Sequence, residues 1–488
     1  MSTAPATTPD ATPDTRFSPS SVEPRWAEAW EQAGCFNPRL DGAAPFAIMM
    51  PPPNVTGTLH LGHALDNTLP DILLRRARMQ GKAALYQPGT DHASIAVHVV
   101  LEKQWAKEGK GTTRFSLGRE KFMEQAWAWK DYSHGQIASQ LRRLGVSCDW
   151  NNERFTMDPG YVKAVNTAFM TLFERGLIYR GQRLVNWDPK MQTAVSDLEV
   201  VHKEVKGHLW HVRYRFADGS TYNGEDGIEI ATTRPETILA DGAIAIHPDD
   251  PRAKDLLGRL VLVPIANRQI PIIADTMVDP EFGSGMVKIT AAHDFNDFAC
   301  YQRHKGEVEI PLITLLNPNG TMNSNCPPAY VGLDRFAARK QIVADLEAIG
   351  QLIKAEPHTH NVGHAERDDT VLEPYLTWQW YVKGTPLAAK CLQAIERGDV
   401  EFVNGRDRKV MRHWLENIED WCISRQLWWG HRIPAWFKGQ EGTPGFEIKV
   451  QEACPGPEHG DGWRQDEDIL DTWFSSALWP FATQGWPN

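Results

Sequence analysis

The sequence predicts an α/β chain: a parallel-sheet nucleotide-binding domain interrupted by a β-rich insertion. Two stretches and one change of character point there. The stretch Phe46-Ala-Ile-Met-Met-Pro-Pro-Pro-Asn-Val-Thr-Gly-Thr-Leu-His-Leu-Gly-His-Ala-Leu65 runs from an apolar strand pattern through a proline loop into a helical pattern. Ala83-Ala-Leu-Tyr86 is a second short strand that enters Gly89-Thr-Asp-His-Ala93 at its C-terminal end, where open α/β sheets place their ligands. From about Leu209 to Val287 the pattern turns to short alternating strands, such as Leu209-Trp-His-Val-Arg-Tyr-Arg-Phe216, separated by Gly, Asp and Pro turns.

In chain order, residues 1–20 are rich in Ser, Thr, Pro and Ala without a hydrophobic signal core, and are expected to be a disordered tail. A short helix should follow, with Pro24 in its first turn, Trp26 and Trp30 on one face, and Gly34 at its end. The helix that starts near His60 meets Pro70, so a kink or restart is expected before Asp71. Residues 117–145 read as a helix stopped at Gly145. Asp158-Pro159 opens an amphipathic helix with Val162, Val165, Phe169, Leu172 and Phe173 on one side and Gly176 at its close. Helical patterning returns at Leu333 to Ala348, and Trp378-Gln-Trp-Tyr-Val-Lys383 reads as a return to the first domain. The expected division is therefore 1–20 tail, 21–200 first half of the nucleotide-binding domain, 201–345 insertion, and 346–488 return.

A chain of 488 residues is too long for one core, and its net charge of -11 disfavours a surface dominated by basic nucleic-acid contacts. Cys35, Cys148, Cys300, Cys326, Cys391, Cys422 and Cys454 are dispersed with no Cys-x-x-Cys pair, which suggests reduced thiols and a cytoplasmic setting. No apolar run reaches the length of a membrane span, so no membrane partner is expected.

Helix N-termini present free N–H groups and the positive end of a dipole, and so hold phosphate. His60 and His63 lie three residues apart at such a terminus, Gly62 leaves room for close approach, and Thr58 adds a hydroxyl. Two imidazoles there suit charge on a phosphoryl group in transit. The plainer reading is a capped helix with two incidental histidines. The whole string, however, resembles the ATP-binding signature of class I aminoacyl-tRNA synthetases, in the form found in the valyl-tRNA synthetase family. Ile423-Ser-Arg-Gln-Leu-Trp-Trp-Gly-His-Arg-Ile-Pro434 and Asp468-Ile-Leu-Asp-Thr-Trp-Phe-Ser-Ser-Ala-Leu-Trp-Pro480 resemble further blocks of that family.

The resemblance implies a Rossmann-type catalytic domain that activates valine with ATP and Mg²⁺ and esterifies a valine-specific tRNA, working as a monomer. It implies that Pro52, Pro53, Asn54, Trp429 and Trp473 wall the amino-acid pocket and that Asp91 holds the substrate ammonium. Without it, the two tryptophans read as core aromatics and Asp91 as a turn cap. The insertion carries Thr232-Thr-Arg-Pro-Glu-Thr237 and Gly283-Ser-Gly-Met-Val-Lys-Ile-Thr-Ala-Ala-His-Asp-Phe-Asn-Asp297, which resemble the editing domain of the valyl, isoleucyl and leucyl enzymes. That resemblance implies binding by Arg234 and Lys288, amino-group recognition by Asp294, and a pocket and water positioned by Thr237, Thr290 and Asp297. A second, hydrolytic site suits a valine pocket, because shape alone rejects isosteric threonine poorly; this family is the standard illustration of that argument.

Two metal candidates, His358/His360/His364 and Cys454/His459, lack a complete four-ligand set, and no structural zinc is expected. The family's second signature, Lys-Met-Ser-Lys-Ser, does not occur in these 488 residues, so an incomplete chain with weak activation is expected. An isoleucyl-type enzyme and a tRNA-editing or tRNA-binding fragment without synthetic activity are the alternatives.

Overall fold

The structure, a computed structural model, describes residues 17–109 and 111–488. It divides into two compact units. One comprises residues up to Thr167 with Trp429–His431 and Thr472–Asn488; the other comprises Ala168–Trp428 with Arg432–Asp471. Most of the expected tail, residues 1–16, lies outside the described residues. The opening helix starts earlier than expected, at Pro19–Gln32, with Pro24 inside it and Gly34 just beyond its end at φ +64°.

In the first unit, strands Pro45–Met49 and Ala83–Gln87 pair in parallel, with Pro45 opposite Ala83 and Met49 opposite Gln87. The helix Leu61–Met79 is the crossover between them. Parallel neighbours need such a crossover, and it places the helix N-terminus beyond the strand's C-terminal end. Met50, Leu74, Ala77, Tyr86, Ile137 and Leu141 form the core beneath the sheet. Of the kink or restart expected at Pro70, the restart does not occur: the helix is continuous. Pro70 removes only the bond to the carbonyl of exposed Asp66, while the buried face is pinned on both sides of it. Asn67 Nδ2 donates to the His63 carbonyl at 2.8 Å, and Asp71 Oδ1 accepts the Ser147 N–H at 2.9 Å. The helix Arg119–Leu144 ends at Gly145 in the left-handed conformation, φ +79°, as its sequence predicts.

The second unit contains three larger sheets. Trp421–Cys422, Glu373–Val382, Ile178–Asp188 and Thr193–Val195 form an antiparallel sheet in that order. Leu352–Ala365, Val200–Arg215 and Gly227–Thr232 form another. In the third, Gln269–Ala274 runs parallel to Ala243–Ile246, which pairs antiparallel with Met286–Ile289. Val212, Tyr214, Ile230, Ile244, Ile246 and Ile272 pack in its main core. The 201–345 boundary read from the sequence cuts through this unit, because Leu352–Ala365 pairs with Val200–Val212 along its length. That strand is largely solvated and polar, so it carries no apolar alternation to mark it. No helix among the described residues is long and apolar enough to cross a membrane, and all seven cysteines are unbridged.

Candidate functional sites

In the first unit the proline loop and the turn at Asp91 lie side by side. Asn54 and Asp91 form a parallel bridge, Val55 N–H donates to the Asp91 carbonyl at 3.0 Å, and Asp91 N–H donates to the Pro53 carbonyl at 2.9 Å. Pro53 is buried, Pro52 half-buried and Asn54 exposed. Beyond the loop, His60 is the N-cap of Leu61–Met79, with extended backbone at φ −122°, ψ 175°. Its Nδ1 accepts the Gly62 N–H at 3.1 Å, and His63 Nδ1 accepts the His60 N–H at 3.2 Å. The two rings lie 3.9 Å apart. A Cβ at Gly62 would stand 2.9 Å from His60 Cε1, so a larger residue there would displace the His60 ring from its cap. Both Nδ1 atoms are acceptors, so each neutral ring carries its proton on Nε2. Burial and the neighbouring His60 lower the His63 pKa. Thr58 is exposed beside them.

Three residues that the sequence did not single out hold this loop from the helix Arg119–Leu144. Ser133 Oγ accepts the Gly57 N–H at 3.0 Å and donates back to its carbonyl at 3.1 Å. Gln140 Oε1 accepts the Leu59 N–H at 2.8 Å, and Trp129 Nε1 donates to the Val55 carbonyl at 2.8 Å. No local signal marks them, because their partners lie more than 70 positions away.

Asp91 is 2 % exposed. Its Oδ1 accepts the Ala93 N–H at 2.6 Å and its Oδ2 accepts the Ser476 hydroxyl. Burial pushes its pKa up to about 6 against the pull of those two donors. The adjacent His92 is held near pKa 3 by burial, and its Nδ1 lies 2.8 Å from Thr156 Oγ1. Trp429 is wholly buried; its Nε1 donates to the His92 carbonyl at 2.7 Å and Trp127 meets it edge-on at 4.9 Å. Trp473 differs: at 65 % exposed, it is not part of a packed wall in this structure, because the short helix Thr472–Ser476 turns it outward.

In the second unit, the polar residues predicted from the insertion converge on a cavity of about 390 Å³ lined in part by Arg234, Thr237, Lys288, Thr290, Asp294 and Asp297. Lys288, on the strand Met286–Ile289, donates to Thr237 Oγ1 at 2.8 Å and pairs with Asp241 at 3.3 Å. Asp241, unnoticed in the sequence, also accepts from Thr290 at 2.5 Å and from the Tyr214 hydroxyl at 2.6 Å. Burial raises the Asp241 pKa against the pull of Lys288.

Asp294 caps the helix Phe295–His304, accepting the Asn296 and Asp297 N–H groups at 2.8 and 3.1 Å. Asp297 Oδ2 accepts the Thr290 N–H at 2.7 Å; burial, then the Asp294 charge, push its pKa to about 7. Arg234 is already engaged by Glu236, Glu373 and the His293 carbonyl. Burial opposes its charge, but the two glutamates outweigh it. Glu236 is in turn held near pKa 2, despite burial, by Arg339 and Arg234. Arg234 therefore braces the rim of the cavity by an ion network as well as facing it.

The histidine run lies on the strand Leu352–Ala365, where His358 and His360 stack at 5.9 Å and His364 bonds the Val362 carbonyl. Cys454 is exposed, and His459 pairs with Glu458 at 3.4 Å. Elsewhere, ligand atoms of Asp275, Cys300 and His304 meet within 4.8 Å. Asp275 is already bonded there by Arg303 at 2.8 Å and His304 at 3.0 Å, which makes the group an ion network.

A family model described as tRNA synthetases class I (I, L, M and V) matches residues 25–488. The chain belongs to this family. As a class I synthetase chain it is 50 % identical over 485 residues to the valine–tRNA ligase of Prochlorococcus marinus (strain MIT 9313), covering 97 % of this chain and 52 % of that protein. The valine–tRNA ligases of Geobacter sulfurreducens and Anoxybacillus flavithermus are 51 % and 52 % identical, each with the same coverage of 97 % and 52 %. The chain thus spans about half the length of the curated relatives it matches. Among solved structures, the LeuRS of Agrobacterium radiobacter K84, in a ternary complex with tRNA and LeuAMS, is 17 % identical with a TM-score of 0.46, covering 96 % of this chain and 60 % of that one. That likeness adds nothing to the family assignment.

Proposed function

We propose that the chain carries the chemistry of a valine–tRNA ligase: ATP-dependent activation of valine, its transfer to tRNA, and hydrolytic editing of threonyl-tRNA. The observation that carries this reading is Asp91, a buried carboxylate with no cation of its own among the described residues, bridged to the proline loop that leads into the capped His60/His63 helix terminus. The half-identity to valine–tRNA ligases across the chain supports the choice of amino acid.

In this reading the valine ammonium pairs with Asp91, and its side chain meets Trp429, Pro52, Pro53 and Asn54, with Trp473 at the open side. ATP places its α-phosphate at the N-terminus of Leu61–Met79. The two Nε2–H groups, with Thr58, face the charge that builds as the valine carboxylate attacks phosphorus in line and pyrophosphate leaves. Gly62 lets the phosphate approach the backbone. Mg²⁺ bound to the phosphates of ATP would supply further neutralisation of their charge. The terminal ribose hydroxyl of tRNA then attacks the acyl-adenylate carbonyl and AMP departs.

At the second site the misacylated ester enters the cavity, Asp294 takes its amino group, and Thr237, Thr290 and Asp297 set the threonine hydroxyl and a water. With its pKa near 7, Asp297 is suited to accept a proton from that water. Lys288 and Arg234 face the anionic nucleotide while anchored by Asp241 and by Glu236 and Glu373. The working unit is taken as a monomer in the cytoplasm.

The test is titration of the 488-residue chain with valine, isoleucine and threonine, with ATP–pyrophosphate exchange and threonyl-tRNA hydrolysis measured alongside. Valine should bind best, and threonyl-tRNA should be hydrolysed faster than valyl-tRNA. Preferential binding of isoleucine would move the assignment to the isoleucyl type. Hydrolysis without any valine binding would leave an editing module.

A further inference from the structure

The helix that exposes Trp473 ends in a residue with a different relation to the first site. Thr472–Ser476 is five residues long, and its last hydroxyl donates to Asp91 Oδ2, 385 positions away in sequence. The other carboxylate oxygen takes the Ala93 N–H, so each oxygen has one fixed donor and the carboxylate plane cannot rotate. The backbone gives this orientation at some strain, since Ala93 and Ser94 both adopt positive φ, 58° and 26°, which non-glycine residues rarely do.

Among the described residues, no cationic side chain pairs with Asp91. His92 Nδ1 is 3.6 Å from Oδ1, but that ring is neutral and engaged with Thr156. The Tyr161 hydroxyl donates to the Ser475 carbonyl at 2.8 Å, which anchors the short helix rather than the carboxylate. Arg154 is committed to Asp158 at 2.7 Å. Two neutral donors are thus what keeps a buried carboxylate ionised and aimed.

We propose that Ser476 is a positioning residue of the first site, whose hydroxyl fixes the Asp91 carboxylate as the ionised acceptor for the ammonium group of an α-amino acid. The proposal rests on the reading of Asp91 given above. It assigns the Trp-Phe-Ser-Ser block two outputs three residues apart: Trp473 turned outward, Ser476 turned onto the carboxylate.

The experiment follows Asp91 directly, by carboxyl-carbon NMR of Asp-labelled chain with D91N to identify the signal, and follows valine affinity against pH in parallel. Losing the donor removes an interaction with the charged form only. In S476A the Asp91 midpoint should therefore rise by about one pH unit, and the acid limb of valine binding should rise with it. Valine affinity at pH 7 should fall at least about twofold, the share that a midpoint moved from about 6 to about 7 removes, and S476T should restore most of both. An unchanged midpoint with unchanged affinity in S476A would overturn the proposal. A raised midpoint in a chain that binds no α-amino acid would support the Ser476–Asp91 linkage and overturn the valine reading instead. S476A and S476T behaving alike would overturn the role of the hydroxyl.

Discussion

The backbone N–H of His60 donates to the Nδ1 of His63 at 3.2 Å, while His60 Nδ1 accepts from Gly62. The two histidines are therefore both caps and candidates for catalysis, and the two roles fall on different nitrogens. The cap uses Nδ1; only Nε2–H is left for a phosphate.

These roles separate by substitution. His63→Asn can still accept the His60 N–H but has no Nε2–H, so thermal stability should hold within a degree or two while ATP affinity falls roughly tenfold, about 1.4 kcal/mol. His63→Ala should lose the cap as well, at about 1 kcal/mol in urea unfolding. Equal loss of stability in both variants would contradict the division. Nitrogen-15 NMR should show the Nε2–H tautomer in the neutral form of both rings.

In the second unit, Lys288 and Asp241 are a buried pair, and removing one partner should cost more than removing both. Asp241→Ala strands the ammonium and leaves the Thr290 and Tyr214 hydroxyls without their acceptor; about 3–5 kcal/mol is expected. The double change Asp241→Asn with Lys288→Met should recover most of that in urea unfolding, yet hydrolyse threonyl-tRNA no faster than buffer. Recovery of hydrolysis with recovery of stability would show the pair to be structural only.

Asp297 makes stability depend on pH in an unusual direction. Its folded pKa, about 7, lies above the ordinary carboxylate value. The unfolded chain therefore releases this proton more readily, so the contribution to stability is full below the unfolded value and lost as pH rises through 7. Glu236 and Asp275, both held near 2, act oppositely: their contribution is present above the ordinary carboxylate range and lost as pH falls toward 2. Asp297→Asn should raise the Tm at pH 8 by a few degrees, leave it nearly unchanged at pH 5, and slow threonyl-tRNA hydrolysis at least tenfold. A variant no more stable than the parent at pH 8 would rule out a strained carboxylate.

What the sequence made legible follows from the range of the forces involved. The strand, loop and helix around His60 are local: an apolar run, prolines, and a glycine that a Cβ would push against His60. Polar residues that converge from two short motifs, such as Thr237, Lys288 and Thr290, were visible as motifs. The counter-charge Asp241 was not, since a lone aspartate after a buried turn looks like a cap until Tyr214 and Lys288 are folded onto it. Ser133 and Gln140 were hidden for the same reason. The pairing of Leu352–Ala365 with Val200–Arg215 was hidden as well, because backbone pairing leaves no hydrophobic trace.

The sequence gives Trp429 and Trp473 the same expected role, and the structure separates them. Trp429 is buried, hydrogen-bonded to the His92 carbonyl and packed against Trp127; Trp473 is 65 % exposed. Trp429→Ala should therefore open a cavity and cost about 3–5 kcal/mol of stability. Trp473→Ala, at an exposed position, should cost clearly less than that. If Trp473 closes over a bound amino acid, valine affinity should nevertheless fall in both variants, and valine should change the indole fluorescence of the parent but not of Trp473→Ala. Equal fluorescence responses in parent and Trp473→Ala would place Trp473 outside the amino-acid site and leave Trp429 and the prolines as its walls.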